Sequence, residues 1–160
     1  MRKFLTKISA IALAVMMIIS LCTIQISASV CYVGSESNSF DSLAEAIKKG
    51  GDVYLTQDAE LDCSEHFFSA KTRIYGNGKT IKLNNTFHVD LNCEMALYDV
   101  TLDLNQYSMV VSGAKTVLTI GKGTTVKNGF ANNGGAAIMY VNSKIIMEEG
   151  ALITDCKAQY

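Results

Sequence analysis

Tyr75-Gly-Asn-Gly-Lys-Thr-Ile81 and Ile120-Gly-Lys-Gly-Thr-Thr-Val126 are two versions of one seven-residue pattern. In each, two apolar residues stand six positions apart with a small turn-former midway. The same frame recurs at Leu55-Asp58-Leu61, Ala96-Asp99-Leu102 and Met147-Gly150-Ile153, giving five copies. Their starts lie 20, 21, 24 and 27 residues apart. That spread is too irregular for a strict leucine-rich array. It suits a solenoid whose coils share strands and a corner but differ in loop length. Leu118–Asn128 also aligns with Ile145–Asp155 without a gap.

Strand, tight corner, strand would turn both apolar residues of a copy toward one interior, and coils stacked about 4.8 Å apart would set like over like. The corner asks for a positive φ or a side chain that caps the turn, hence Gly, Asn or Asp. The residue after each second apolar position runs Asp62, Lys82, Asp103, Lys127, Thr154, so charges would alternate on adjacent rungs. Thr80, Thr101 and Thr125 form a second ladder two positions earlier. Such pairs contribute about 0.2–1 kcal/mol each.

Composition agrees with this reading. The 160 residues include twelve glycines, no proline and no tryptophan, with a formal charge of −1. Average usage would supply roughly eight prolines, and a chain that needs nearly every N–H for a ladder selects against them. A near-balanced charge argues against a nucleic-acid partner. The apolar share of 49% argues against disorder.

The ends differ from the middle. Met1–Lys7 carries three positive charges, Ile8–Ile24 is almost wholly apolar, and Ser27-Ala28-Ser29 offers small residues. This is the layout of a secretory signal peptide over residues 1–29, with an uncleaved anchor as the competing reading. Cleavage would leave eleven basic and fifteen acidic residues, net −4, in a single domain outside the cytoplasm. Asp41–Gly51 reads as one short helix: Ser42 and Glu45 form a capping box, Leu43, Ala46 and Ile47 share a face, and Gly50-Gly51 stop it. Four cysteines follow the leader, Cys31, Cys63, Cys93 and Cys156, and both two disulfides and four buried thiols fit them.

These residues resemble a right-handed parallel β-helix of the pectin-lyase-like superfamily. The resemblance runs over about residues 40–160, from Ser42-Leu-Ala-Glu-Ala-Ile47 through Gly51-Asp-Val-Tyr-Leu55 to Ile74–Ile81. Phe130-Ala-Asn-Asn133 and Gly134-Gly135-Ala136 are similar to motifs of bacterial surface adhesins of the polymorphic outer-membrane type. The fold expected is therefore all-β: a right-handed solenoid with a capping helix at 41–50 and coils from 52 onward. Its last coil lacks a cap, so the chain is expected to be the N-terminal part of a longer solenoid, or to be covered by another copy.

The resemblance implies either a structural, adhesive or carbohydrate-binding protein of the cell surface, or the start of an extracellular polysaccharide lyase or glycoside hydrolase. Residue chemistry favours the first. The acids are dispersed: Asp58 and Asp99 at corners, Asp103 in the ladder, Glu148-Glu149 in a turn. Arg73 has no evident acidic partner on its column. His66 falls in a loop and His88 on a strand, each alone. No catalytic, cofactor-binding or metal-ligating residue is expected within the chain. The expected partner is a polysaccharide or a host or cell-surface ligand, and Tyr54, Tyr75 and Tyr98 read as core or ladder residues.

Overall fold

The computed structural model describes residues 29–159 except Glu65, Ser69 and Ala70, so the leader lies outside the described residues apart from Ser29. The chain is mostly β and winds as a parallel β-solenoid of about five turns. It opens with β1 (Cys31–Val33), β2 (Ser39–Phe40) and α1 (Leu43–Lys49). Then come β3 (Gly51–Leu55), β4 (Ala59–Leu61), β5 (Phe67–Phe68), β6 (Lys71–Leu83), β7 (Phe87–Asp90) and β8 (Glu94–Asp103). The later coils supply β9 (Met109–Val111), β10 (Thr116–Ile120), β11 (Thr125–Lys127) and β12 (Phe130–Ala131). The last supplies β13 (Ala137–Met139), β14 (Ser143–Met147), β15 (Leu152–Thr154) and β16 (Lys157–Ala158).

The largest sheet runs β14-β10-β8-β6-β3-β1-β2, with β4, β11 and β15 continuing it around the corner. A four-stranded sheet, β13-β9-β7-β5, forms another face, and β12 pairs with β16. Every pairing is parallel except those of β1 with β2 and β3, which add an antiparallel end that the sequence pattern did not announce.

The core is built of columns. Val53, Ile74, Leu97, Ile120 and Met147 stack in register, as do Ala59, Ile81, Leu102, Val126 and Ile153. Here the fixed spacing of six needs correction. Between the two columns the chain takes six residues in the first, fourth and fifth coils, seven in the second and five in the third. Tyr75 and Ala96 therefore face outward, and Ile74 and Leu97 take their places inside. A one-residue slip flips the face, and the pairing of β6 with β8 shifts register between Tyr75 and Lys79. In the first coil the core pair is Val53 and Ala59. Leu61 pairs with Leu83, so the charge ladder starts at Glu60 opposite Lys82 rather than at Asp62. Lys82, Asp103, Lys127 and Thr154 then follow as expected, and Thr80, Thr101 and Thr125 align.

The corner chemistry holds with one exception. Gly78, Asp99, Gly123 and Gly150 have φ of 74°, 48°, 77° and 83°. Asp58 is not in the left-handed region; its carboxylate instead accepts from the Thr80 N–H of the next coil at 2.8 Å. Two further columns of positive φ, Asn105–Asn128–Asp155 and Asn92–Lys115–Asn142, mark two more corners.

The α1 helix forms as its capping signals direct. Ser42 Oγ accepts from the Glu45 N–H, Gly50 with φ 75° ends it, and Leu43, Ala46 and Ile47 are buried. Thr72 Oγ1 donates to the Ile47 carbonyl at 3.2 Å, tying the helix to β6.

Of the two cysteine readings the structure has the one without disulfides: no S–S bond joins Cys31, Cys63, Cys93 or Cys156, and the first three are buried. Burial pushes the Cys31 thiol up to about 11 and Cys63 to about 12. An unfolded thiol ionises near 9, so unfolding is favoured once the pH passes that value. The stability the neutral thiols contribute is intact below pH 9 and is lost as pH rises toward 11–12. Urea midpoints should accordingly fall between pH 8.5 and 10.5, and fall less in the double variant Cys31→Ala/Cys63→Ala. An identical pH slope for the two proteins would refute this.

Candidate functional site

Two outer faces gather polar side chains. On the large sheet, Asp52, Arg73, Ala96 and Thr119 occupy one outward column, and Lys71, Glu94 and Val117 the next. A groove of about 440 Å³ lies over them, with Ala96 and Thr119 as small residues in its lining. The groove crosses the strands and so runs along the solenoid axis. Arg73 meets Asp52 as a two-pronged fork, Nε to Oδ1 at 2.6 Å and Nη2 to Oδ2 at 3.1 Å. This corrects the expectation that Arg73 lacks an acidic partner: the partner is the residue one rung back. The pair raises the guanidinium's pKa further. Lys71 Nζ lies 3.1 Å from Glu94 Oε1. Both pairs are solvent-screened and add little to stability; their effect is to hold donors and acceptors in place along the groove.

The tyrosines stand beside the groove. Tyr32, Tyr54, Tyr75 and Tyr98 stack with ring centroids 5.0, 4.9 and 5.4 Å apart, following the strand spacing. Below the last ring is Gly121, where a Cβ would lie 2.3 Å from Tyr98. The ladder expectation for Tyr54, Tyr75 and Tyr98 is met, and Tyr32 extends it. The inner rings cover one another's faces, so they offer edges and hydroxyls to a ligand rather than stacking platforms. Partial burial, then the Asp52 charge, raises the Tyr54 pKa, and partial burial, then Glu148, raises that of Tyr98. Both phenols stay protonated donors at neutral pH.

The second face is the four-stranded sheet. His66 and His88 are not alone there. The β5–β7 register, Phe67 opposite Val89, places His66 over His88 on one outward column. Their rings stack at 3.9 Å with planes 3° apart. His66 Nδ1 is 2.7 Å from Asp90 Oδ2, and His88 Nδ1 is 3.9 Å from the same oxygen. Asp90 is 6% exposed, and the Ser112 hydroxyl donates to its other oxygen. Burial, then the His66 charge, pushes the His88 pKa down against the pull of Asp90. A sequence signal for this cluster existed. His66 and His88, like Asp90 and Ser112, are 22 residues apart, one coil length.

The fold and these faces define the class: a parallel β-solenoid carrying side-chain columns on flat outer sheets. Comparison with family models, curated proteins and solved structures gave no match to the chain. Among the described residues, no helix is long and apolar enough to cross a membrane.

Proposed function

We propose that the chain is a secreted or surface-displayed right-handed parallel β-helix, of pectin-lyase-like or adhesin-like architecture, that binds a polysaccharide along the groove of its large sheet. The carrying observation is the groove's direction. It crosses β3, β6, β8 and β10, so an extended polymer lying in it would meet at least one polar side chain at each rung: Asp52, Arg73 with Lys71, Glu94, and Thr119. The Arg73–Asp52 fork, the Lys71–Glu94 pair, Thr119 and the tyrosine hydroxyls supply hydrogen bonds suited to sugar hydroxyls. Asp52 and Glu94 are each engaged by a cation, whereas a glycosidase acid must hold a proton for its leaving group. That favours recognition over hydrolysis on this face. Right-handedness accords with the strong rule for parallel crossovers, α1 would act as the N-terminal plug, and residues 1–29 would direct export. Met139, Met147 and Leu152 on the last described coil are about half exposed, and further coils or a second copy would cover them.

Affinity electrophoresis of the secreted protein in gels carrying homogalacturonan, xylan or bacterial cell-wall glycan tests the reading. Retardation by at least one glycan is expected, and Arg73→Ala/Lys71→Ala should weaken it at least about tenfold, since lost charge-assisted hydrogen bonds carry about 1.5–3 kcal/mol. Unretarded migration in all three gels, or equal retardation of the variant, overturns it. Release of sugar from the gel would point to the enzyme instead.

A further inference from the structure

We propose that His66, His88 and Asp90 form a binding site for a borderline-soft divalent cation of the Zn²⁺ class, on the face opposite in role to the glycan groove and independent of it. One donor atom from each of the three residues lies within 4.8 Å of the other two. The solenoid itself brings them together: two imidazoles on adjacent rungs of one column, and a carboxylate two residues along the second rung. His88 and Asp90 lie on β7, which is paired on both sides by β5 and β9, whereas His66 directly precedes the edge strand β5; the carboxylate and one imidazole are thus held by ladders, and the second imidazole can adjust as the ion enters.

The charge balance around Asp90 supports a cation. Its carboxylate is nearly buried, yet the surrounding pocket of about 440 Å³ is lined by His66, His88, Leu91, Val110, Ser112 and Tyr140, with no lysine or arginine. Burying a carboxylate is costly unless something positive or hydrogen-bonding meets it. Ser112 holds one oxygen and orients the other toward the histidines, the role that outer partners play for metal-ligating carboxylates. The pocket is open on the solvent side, leaving room for water or a ligand atom as a fourth donor.

Donor type selects the ion. Two imidazole nitrogens with one carboxylate suit Zn²⁺ and its later-transition neighbours, whereas Ca²⁺ and Mg²⁺ ask for six or more oxygens. The geometry also states what binding must do. Zn–N bonds are about 2.0–2.1 Å, and the in-plane lone pairs of two near-parallel rings with centroids 3.9 Å apart do not converge on one point. Loading therefore turns the rings about χ2, a soft torsion, and opens the stack.

The test is a calorimetric titration of the chelator-stripped secreted protein with ZnCl₂, paired with histidine-ring NMR. One ion per chain and shifts on both imidazoles are expected, with no heat from CaCl₂ or MgCl₂. His66→Gln and His88→Gln, both substitutions on an outer face, should each weaken binding by more than about tenfold, the least that loss of even an outer partner costs. Cys156→Ser should leave it unchanged, which separates the site from the partly exposed thiol. Absence of binding, unchanged affinity in both histidine variants, or ring signals that stay put while heat is released overturns the proposal. Loss of Zn²⁺ uptake in His88→Gln without loss of glycan retardation would show the two faces to be separate.

Discussion

Leu97→Ala is expected to lower the free energy of unfolding by about 2–5 kcal/mol. Leu97 is 1% exposed and sits third in the column Val53, Ile74, Leu97, Ile120, Met147. Strands on both sides are pinned by parallel ladders, so neither neighbouring coil can sink into the space a truncated side chain leaves. The cavity term therefore adds to the lost transfer free energy. Met147→Ala in the same column supplies the control. Its side chain has no coil beyond it among the described residues and is 49% exposed, so it should cost well under half as much. Urea unfolding with an unchanged m-value reads both. Equal losses at the two positions would mean that the columns do not stack as the register states.

Those columns were mostly legible in the sequence. The fourth and fifth copies carry a six-residue interval and were placed correctly, as was every member of the threonine ladder. The second and third coils were misread by one residue because their corners hold one more and one fewer residue. Apolarity alone did not reveal it. Tyr75 and Ala96 are acceptable core residues, and only pairing to β3, β8 and β10 shows that Ile74 and Leu97 are the inward ones. The antiparallel β1 escaped because Cys31–Val33 is three residues long, too short to show a period.

Sites were harder to read than strands, and for the same reason: they are products of register. Asp52 and Arg73 are 21 residues apart, and His66 and His88 are 22 apart. Neither interval resembles a local ligand or ion-pair spacing. Each becomes a contact once it is recognised as one turn of the solenoid. In this architecture a search for partners has to be made at the coil period, not within a helix turn or a hairpin. The tyrosine ladder is legible at Tyr54, Tyr75 and Tyr98 because those three fall in coils that the repeat defines, whereas Tyr32 lies on the β1 strand outside it.

Gly76→Ala should be among the most damaging substitutions at the corner, at about 3 kcal/mol, although it adds one methyl group to a buried glycine. A Cβ at Gly76 would lie 2.3 Å from Val100 Cβ, 2.6 Å from the Asp99 carbonyl oxygen and 2.7 Å from Val100 Cα. Two of those atoms are backbone, fixed by the ladder between β6 and β8, so the clash cannot be relieved by a rotamer change. The requirement is close approach, since Gly76 is not among the residues of positive φ. Gly78, two residues on, is the opposite case. A Cβ there meets nothing within 4 Å, but its φ is +74°, so Gly78→Ala should cost only the left-handed strain of about 1–2 kcal/mol. Gly78→Asn should cost less still, because asparagine tolerates that region and Asp99 adopts it at the same corner one coil later, with φ 48°. Thermal and urea unfolding of the three variants should rank Gly76→Ala lowest, then Gly78→Ala, then Gly78→Asn. A Gly76→Ala protein as stable as Gly78→Asn would mean that adjacent corners are farther apart than the register allows.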